Sequence, residues 1–166
     1  MSIRPVLALG LLTVAVAACA PAPAPIGAVQ PSAFREQDFA WSTLDGRAAI
    51  EGQVNYRQDG QTYACVGSVG LTPDTPYTRA RFRTLYGSTD RAAVPAAVVR
   101  ARDIPDPNAN YRSYVRSTAC VDGRFSFNGL PDGGWFVIAP VTAGEAPLVL
   151  MRHVDTRGGR TVNITL

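Results

Sequence analysis

Apolar and polar residues alternate along much of the chain from residue 47 onward, with the period of two that is typical of half-buried β-strands. The alternation is clearest at residues 124–128 and 161–166. Turn sequences separate the alternating segments, at Gln58-Asp59-Gly60, Asp122-Gly123 and Leu130-Pro131-Asp132-Gly133-Gly134. The pattern predicts an all-β fold of about seven to eight antiparallel strands, arranged as a sandwich or a barrel.

Eight segments are strand candidates: residues 48–56, 61–66, 68–72, 111–120, 124–128, 135–141, 148–154 and 161–166. Their clearest alternations predict a set of inward-facing core side chains, namely Ile50, Val69, Leu71, Phe125, Phe127, Phe136, Ile138, Val162 and Ile164. One region breaks the pattern. Residues 77–110 are rich in Arg and interrupted by Pro, and residues 77–86 after Pro76 favour a helix of one or two turns over a strand.

The chain begins with an export signal. Residues 6–18 form an apolar run interrupted only by Thr13. Because about 20 helical residues are needed to cross a bilayer core, this run has the length of a signal-peptide core instead. Its end, Val16-Ala17-Ala18-Cys19, matches a bacterial lipobox, in which the Cys thiolate receives a diacylglyceryl group as a thioether. The alternative is an ordinary secretory signal in which Cys19 is incidental.

The predicted organisation has three parts: a lipoprotein signal peptide (1–18), a lipidated Cys19 with an Ala/Pro-rich tether (19–45), and a β-sandwich domain (46–166). Alternating Pro in residues 20–33 favours an extended polyproline II tether, which would reach roughly 40 Å from the membrane. Residues 34–45 are either a short helix or an edge segment that lies on the domain. The predicted location is the bacterial cell envelope, with the outer membrane facing the periplasm favoured because Ala20, and not Asp, follows the Cys.

The net charge bears on the kind of partner, and the cysteine content predicts a disulfide. The chain has 16 basic side chains, all Arg, and 13 acidic ones, for a net charge of +3. This excess is too small to indicate a nucleic-acid partner. Cys65 and Cys120 remain as an even pair in an oxidising compartment, which predicts a disulfide between them, with two buried free thiols as the alternative.

The sequence contains few residues that could act in catalysis or bind a metal ion. His153 is the single His and lies in an apolar strand, so neither a nucleophile–base pair nor a zinc site is expected. A loop with Asp103, Asp106, Asn108 and Asn110 offers oxygen ligands, but its spacing fits no calcium loop. We therefore expect no catalytic residues, no metal and no cofactor.

Three stretches together resemble a known family. They are Ile50-x-Gly52-x-Val54, Val69-x-Leu71-x-Pro73, and Asp122-Gly123-Arg124-Phe125-x-Phe127-x-x-Leu130-Pro131 with an apolar strand to Ile138. They resemble a carboxypeptidase regulatory-like domain over about residues 46–141, and residues 71–77 resemble a stretch of stand-alone bacterial lipoproteins of this type. The resemblance implies a transthyretin-like (prealbumin-like) sandwich of seven strands that acts as an accessory or structural module. The 77–110 insertion departs from it.

Two functions follow as hypotheses. The first is a non-enzymatic, lipid-anchored envelope protein that serves as a structural or protein-interaction module, with the 77–110 insertion as its binding element. The second is a carbohydrate- or peptidoglycan-binding module that uses Trp41, Trp135 or Tyr114 as stacking platforms. Exposed aromatic side chains would favour the second, whereas burial of Trp41 and Trp135 would favour the first.

Lipidation at Cys19 is directly testable. A Cys19→Ser variant should lose both the incorporation of labelled fatty acid and its membrane fractionation, because Ser has no thiolate to form the thioether. Labelling that persists in the variant would contradict the lipobox assignment.

Overall fold

The computed structural model describes residues 33–166, apart from Ile104, Pro107 and Asn108. The signal peptide, Cys19 and most of the predicted tether therefore lie outside the described residues. Within the described residues the strands are β1 (Ala48–Gln53), β2 (Tyr56–Gln58), β3 (Gln61–Cys65), β4 (Ser68–Pro73), β5 (Arg91–Pro95), β6 (Arg116–Ala119), β7 (Arg124–Leu130), β8 (Gly133–Ala143), β9 (Ala146–Thr156) and β10 (Thr161–Thr165). The α-helices are α1 (Pro76–Tyr86) and α2 (Ala96–Arg102), and 3₁₀-helices cover Glu36–Asp38, Ala40–Thr43 and Tyr111–Tyr114.

The strands form two sheets. The small sheet has the order β10-β1-β7, with β1 parallel to β10 and antiparallel to β7. In the large sheet the long hairpin of β8 and β9 is central: β4 and β3 pair with successive parts of β8, and β5 pairs with β9. Strand β6 extends the sheet beyond β4, and β2 extends it beyond β3.

The two sheets enclose the main core. Side chains from both contribute to it, including Ile50 of the small sheet and Leu71 and Trp135 of the large sheet, each 0% exposed. The inward residues of β7 are Phe125 and Phe127, as their alternation predicts. The predicted all-β sandwich is therefore confirmed, but the prediction that all strands are antiparallel was wrong, because β1 and β10 pair in parallel, and the described residues form ten strands instead of seven or eight.

The large sheet is covered on its other face as well. Because side chains alternate along β8, Trp135 and Val137 face the small sheet, whereas Phe136 and Ile138 face the opposite way. Phe136 is fully buried there against Phe82 of α1, with ring centroids 4.9 Å apart. The prediction that Phe136 and Ile138 belong to the inter-sheet core was wrong. Because β8 is apolar on both faces, its sequence pattern does not show which of its residues face the small sheet.

Helix α1 is longer than the one or two turns predicted, and its ends are set by local chemistry. Thr75 and Thr78 form a capping box in which the Thr75 hydroxyl accepts from the Thr78 N–H and the Thr78 hydroxyl accepts from the Thr75 N–H. Pro76 occupies the first turn, where its missing N–H costs nothing. Gly87 ends the helix with φ 73°, a left-handed conformation that glycine adopts without strain.

The 77–110 insertion forms a third layer. Its helices α1 and α2 cover the outer face of the large sheet over Phe136 and Met151, and its strand β5 extends that sheet beyond β9. A deletion of the insertion would therefore expose an apolar sheet face. No helix among the described residues combines the length and hydropathy required to cross a membrane.

Two segments differ from the predicted pattern. The long strand predicted at 111–120 is a 3₁₀-helix, Tyr111–Tyr114, followed by the shorter β6. The packed part of the chain also begins near Phe34 and not at residue 46, since Phe39 is 0% exposed. The ring of Trp41 lies against Gly133, where an added Cβ would be 2.2 Å from it.

Cys65 and Cys120 form the predicted disulfide, with their Cα atoms 6.1 Å apart. Cys65 ends β3 and Cys120 directly follows β6, and the Cys120 N–H donates to the carbonyl of Gly67. The bond therefore links the β3–β4 connection to the end of β6, at one end of the large sheet.

Reduction of this disulfide should destabilise the domain. It links residues 55 positions apart, and the chain-entropy relation for a loop of that length gives about 4 kcal/mol. Urea unfolding of the oxidised and reduced protein, with a Cys65→Ala/Cys120→Ala variant as the matched control, measures the difference. Two free thiols titrated in the unfolded, unreduced protein would contradict the pairing.

Candidate functional site

A groove of about 490 Å³ lies on the helical side of the large sheet. We call it the helical groove. Its floor is formed by outward positions of β4 and β8, including Gly70 and Ile138. Phe82, Leu85 and Tyr86 of α1 form one wall, and Tyr111, Arg112 and Val115 form the other. The lining is mainly apolar, with a few polar groups at the rim, which is the usual composition of a ligand-binding concavity.

The insertion and the sheet position this groove together. Gly70 forms part of its floor, where an added Cβ would be in ordinary van der Waals contact with the Val115 side chain, at 3.7 Å. The Arg102 guanidinium donates to the Leu85 carbonyl at 3.2 Å, which connects α2 to the end of α1. Val99 of α2 lines the groove. The wall formed by α1 is therefore held by contacts within the insertion.

A charged network forms one end of the helical groove. Asp103 forms ion pairs with Arg81 and, at 3.4 Å, with Arg112. The same two guanidinium groups lie over the ring of Tyr111, at 5.3 Å for Arg81 and 5.6 Å for Arg112. Arg81 is mostly buried, with 13% of its side chain exposed, whereas Arg112 exposes 71%. Arg81 therefore has a structural position, and Arg112 is the cation that a ligand can reach.

Two tyrosines near this network are held in the neutral form. Burial raises the pKa of the Tyr86 hydroxyl well above its ordinary value of 10.0, and the charges of Tyr111 and Asp103 add to the shift. Burial also raises the pKa of Tyr77, which donates a hydrogen bond to Asp106 Oδ2 at 3.1 Å. Both hydroxyls therefore remain hydrogen-bond donors at neutral pH.

The predicted stacking platforms are used inside the fold. Trp135 is 0% exposed and donates its indole N–H to the Thr156 hydroxyl at 3.1 Å. Trp41 is partly buried, edge-on to Trp135 at 4.9 Å between centroids. Tyr114 packs on Phe39 at 4.8 Å. The structure does not bring these three together as an exposed row of rings.

The acidic loop is also committed to protein contacts. Asp103 holds Arg81, and Asp106 accepts from Tyr77. Asn108 lies outside the described residues, and no group of three or more metal-ligating side chains occurs among the residues that are described. The described carboxylates of this loop hold the α1–α2 layer in place.

His153 has a partner that the sequence did not indicate. Its Nε2 lies 2.8 Å from Asp74 Oδ2, and Asp74 also forms an ion pair with Arg79 of α1. The His153 ring packs edge-on against Phe136 at 5.1 Å. Asp74 directly precedes the Thr75 cap, so this bond ties β9 to the start of α1. No local pattern could reveal it, because the two residues are 79 positions apart.

The Arg surplus divides into internal and exposed groups. Arg116 donates to the Ser42 carbonyl at 2.8 Å and lies over the Trp135 ring at 5.6 Å, so it holds the N-terminal segment on the sandwich. Arg83 of α1 and Arg100 of α2 are exposed. Arg112 is also exposed, and it lines the helical groove.

Comparison with known proteins supports the fold. No protein-family model matches the chain, and no curated protein matches its sequence. One similar solved structure is from Pseudomonas aeruginosa and is provisionally described as a carbohydrate binding protein. The likeness has a TM-score of 0.52 at 19% identity, and covers 82% of this chain and 100% of that one. At this identity the likeness shows that the two chains share a fold.

The raised tyrosine pKa values predict a loss of stability in alkali. A group whose pKa is raised on folding contributes stability below its unfolded pKa, and that contribution declines as pH rises above about 10. We expect Tyr86→Phe to make this decline shallower by up to about 1.4 kcal/mol per pH unit. Urea unfolding from pH 7 to pH 11 measures the slope, and the pH 7 value is the internal control. Equal slopes would contradict the assignment.

Proposed function

We propose that this chain is a non-enzymatic, lipid-anchored protein of the bacterial cell envelope that binds a segment of a partner protein in the helical groove. The packing of the candidate sugar-stacking rings inside the fold favours the first of the two hypotheses, the protein-interaction module. Trp135 is wholly enclosed, and Trp41 and Tyr114 have their faces or edges against other rings. Carbohydrate sites generally present aromatic faces to the ligand, whereas these rings stabilise the fold.

The composition of the helical groove indicates the partner. Its lining offers apolar surface from Val99, Val115 and Ile138, which are only partly buried, and this suits apolar side chains of a peptide segment. Its end carries the guanidinium of Arg112, which is 71% exposed and is the charge that a ligand can reach. Charge complementarity therefore favours a segment in which acidic residues flank the apolar ones.

The proposed location rests on the sequence. The lipobox ending in Cys19 and the Pro-rich residues that follow are typical of a membrane-tethered lipoprotein. We further propose that the sandwich is of the transthyretin-like type found in carboxypeptidase regulatory-like domains. The Asp-Gly-Arg-Phe motif supports this assignment, since it forms the turn into β7 with Asp122 and Gly123 both at positive φ.

A carbohydrate ligand is the second candidate, favoured by the fold it shares with the Pseudomonas protein. In the helical groove, the exposed Ser68 supplies a hydroxyl and Arg112 supplies a planar polar group. A cell-wall polymer would contact these groups and would depend little on the apolar wall.

Site-specific photo-cross-linking in intact cells separates the two. A photoreactive residue at Val99, on the groove wall, should give a discrete protein adduct. The same residue at Ser126, exposed on the small sheet, is the matched control and should not. Arg112→Glu should reduce the Val99 adduct on the order of tenfold, because it reverses the reachable charge.

Two results would contradict the proposal. One is equal adduct yields from Val99 and Ser126. The other is that the purified protein sediments with peptidoglycan sacculi in a manner that Arg112→Glu abolishes, while no protein adduct forms at Val99. The second result would support the carbohydrate reading.

A further inference from the structure

A second concave site lies on the other side of the large sheet, at the open edge of the sandwich. It is a cleft of about 250 Å³ between β10 of the small sheet and the β5–β9 edge of the large sheet. Leu150, Leu166 and Tyr56 line it, together with Arg91 and Arg152. We call it the edge cleft. It shares no lining residue with the helical groove.

The two arginines of the edge cleft lie directly opposite each other. Arg91 of β5 pairs with Arg152 of β9 in the antiparallel register. Their neighbours Ala93 and Leu150 also pair, and Leu150 belongs to the inter-sheet core. Because alternate residues share a face, both guanidinium side chains leave the strands on the side of the cleft.

Such a pair is unfavourable without a counter-charge. Side chains directly opposite in an antiparallel pair have Cβ atoms only about 5 Å apart, and like charges there destabilise the sheet. Among the described residues, Asp90 is the only carboxylate within ion-pair distance of either group, at 3.6 Å from Arg91 Nε. The Arg91 and Asp90 side chains are 74% and 80% exposed, so solvent screens this attraction and also part of the repulsion between the two arginines.

Arg152 is held in place at the cleft. Its Nη1 donates to the Thr165 carbonyl at 2.6 Å, so the guanidinium spans from β9 to β10. One of its five N–H donors is used in this bond, and the described structure gives the others no carboxylate. A positioned guanidinium beside a second one suits a carboxylate or phosphate, which accepts two parallel hydrogen bonds.

The rest of the edge cleft is apolar. Leu166 and Tyr56 are partly buried and line the cleft, together with Leu150, of which only 3% is exposed. An anionic group held by the arginines would therefore have apolar surface next to it, towards the sandwich interior. A purely polar anion would leave that surface uncovered.

We propose that the edge cleft binds a monomeric amphiphilic anion, a carboxylate or phosphate carried on a short alkyl chain. The anionic group lies between Arg91 and Arg152, and the alkyl chain lies against Leu166 and Tyr56. The ligand supplies a counter-charge to the Arg91–Arg152 pair in addition to the exposed Asp90.

Calorimetry and thermal unfolding test this proposal. The protein used is the chain from residue 19 onward with Cys19→Ser, secreted behind an unrelated cleavable signal peptide. Because this protein carries no lipid, it can be purified without detergent. Octanoate and octyl phosphate should bind and raise the unfolding midpoint. Acetate and inorganic phosphate lack the alkyl chain, and octyl glucoside lacks the charge. These three should produce no comparable shift.

The arginine variants locate the site. Arg152→Gln should weaken octanoate binding on the order of tenfold, the factor that one charge-assisted hydrogen bond contributes. Arg124→Gln, which removes an exposed Arg from β7, is the matched control and should leave the Kd unchanged. In low salt without ligand, Arg91→Gln should raise the unfolding midpoint, because it removes the like-charge repulsion.

Three results would overturn the proposal. The first is that octyl glucoside matches octanoate in affinity. The second is that octanoate binding survives both Arg91→Gln and Arg152→Gln. The third is that arginine-dependent binding occurs only to phosphatidylglycerol vesicles and never to the monomeric anions. The first result would show that the charge of the ligand has no role, the second that the ligand binds elsewhere, and the third that the alkyl chain is not held in the cleft.

Discussion

Every layer of the molecule packs against β8, which is buried on both faces. Trp135, Val137 and Ala139 meet the small sheet, and Phe136 meets α1. A strand that is apolar on both faces must be covered twice, because an uncovered apolar face in water costs free energy in proportion to its area. The helical insertion is therefore a requirement of the fold, and the groove beside it is a consequence of how the insertion covers β8.

The sequence predicted those parts of the fold that depend on local patterns. The alternation around Phe125 and Phe127 predicts β7 because one face of that strand is solvated. The same rule fails at Phe136, where neighbouring apolar residues leave the phase undefined. Helix α1 had readable signals in Thr75-Pro76 and in Gly87, but its Arg content obscured the apolar face that Phe82 and Leu85 form.

The candidate sites depend on pairings that no local pattern contains. Asp74 meets His153 because β4 and β9 are both neighbours of β8, and Arg91 meets Arg152 because of one particular register between β5 and β9. A shift of that register by one residue would place the two arginines on opposite faces. The disulfide was predictable because only two cysteines follow Cys19, so counting was sufficient.

The parallel pairing of β1 with β10 affects how the domain folds. Ala49 lies beside Thr161, so the small sheet joins segments separated by more than one hundred residues. Contacts of such long range close slowly, and domains dominated by them fold in milliseconds to seconds. During synthesis β1 can pair with β7 but keeps an open edge until β10 emerges. This strand edge therefore stays unpaired until the last strand is available, and until then it can pair with the edge of another chain.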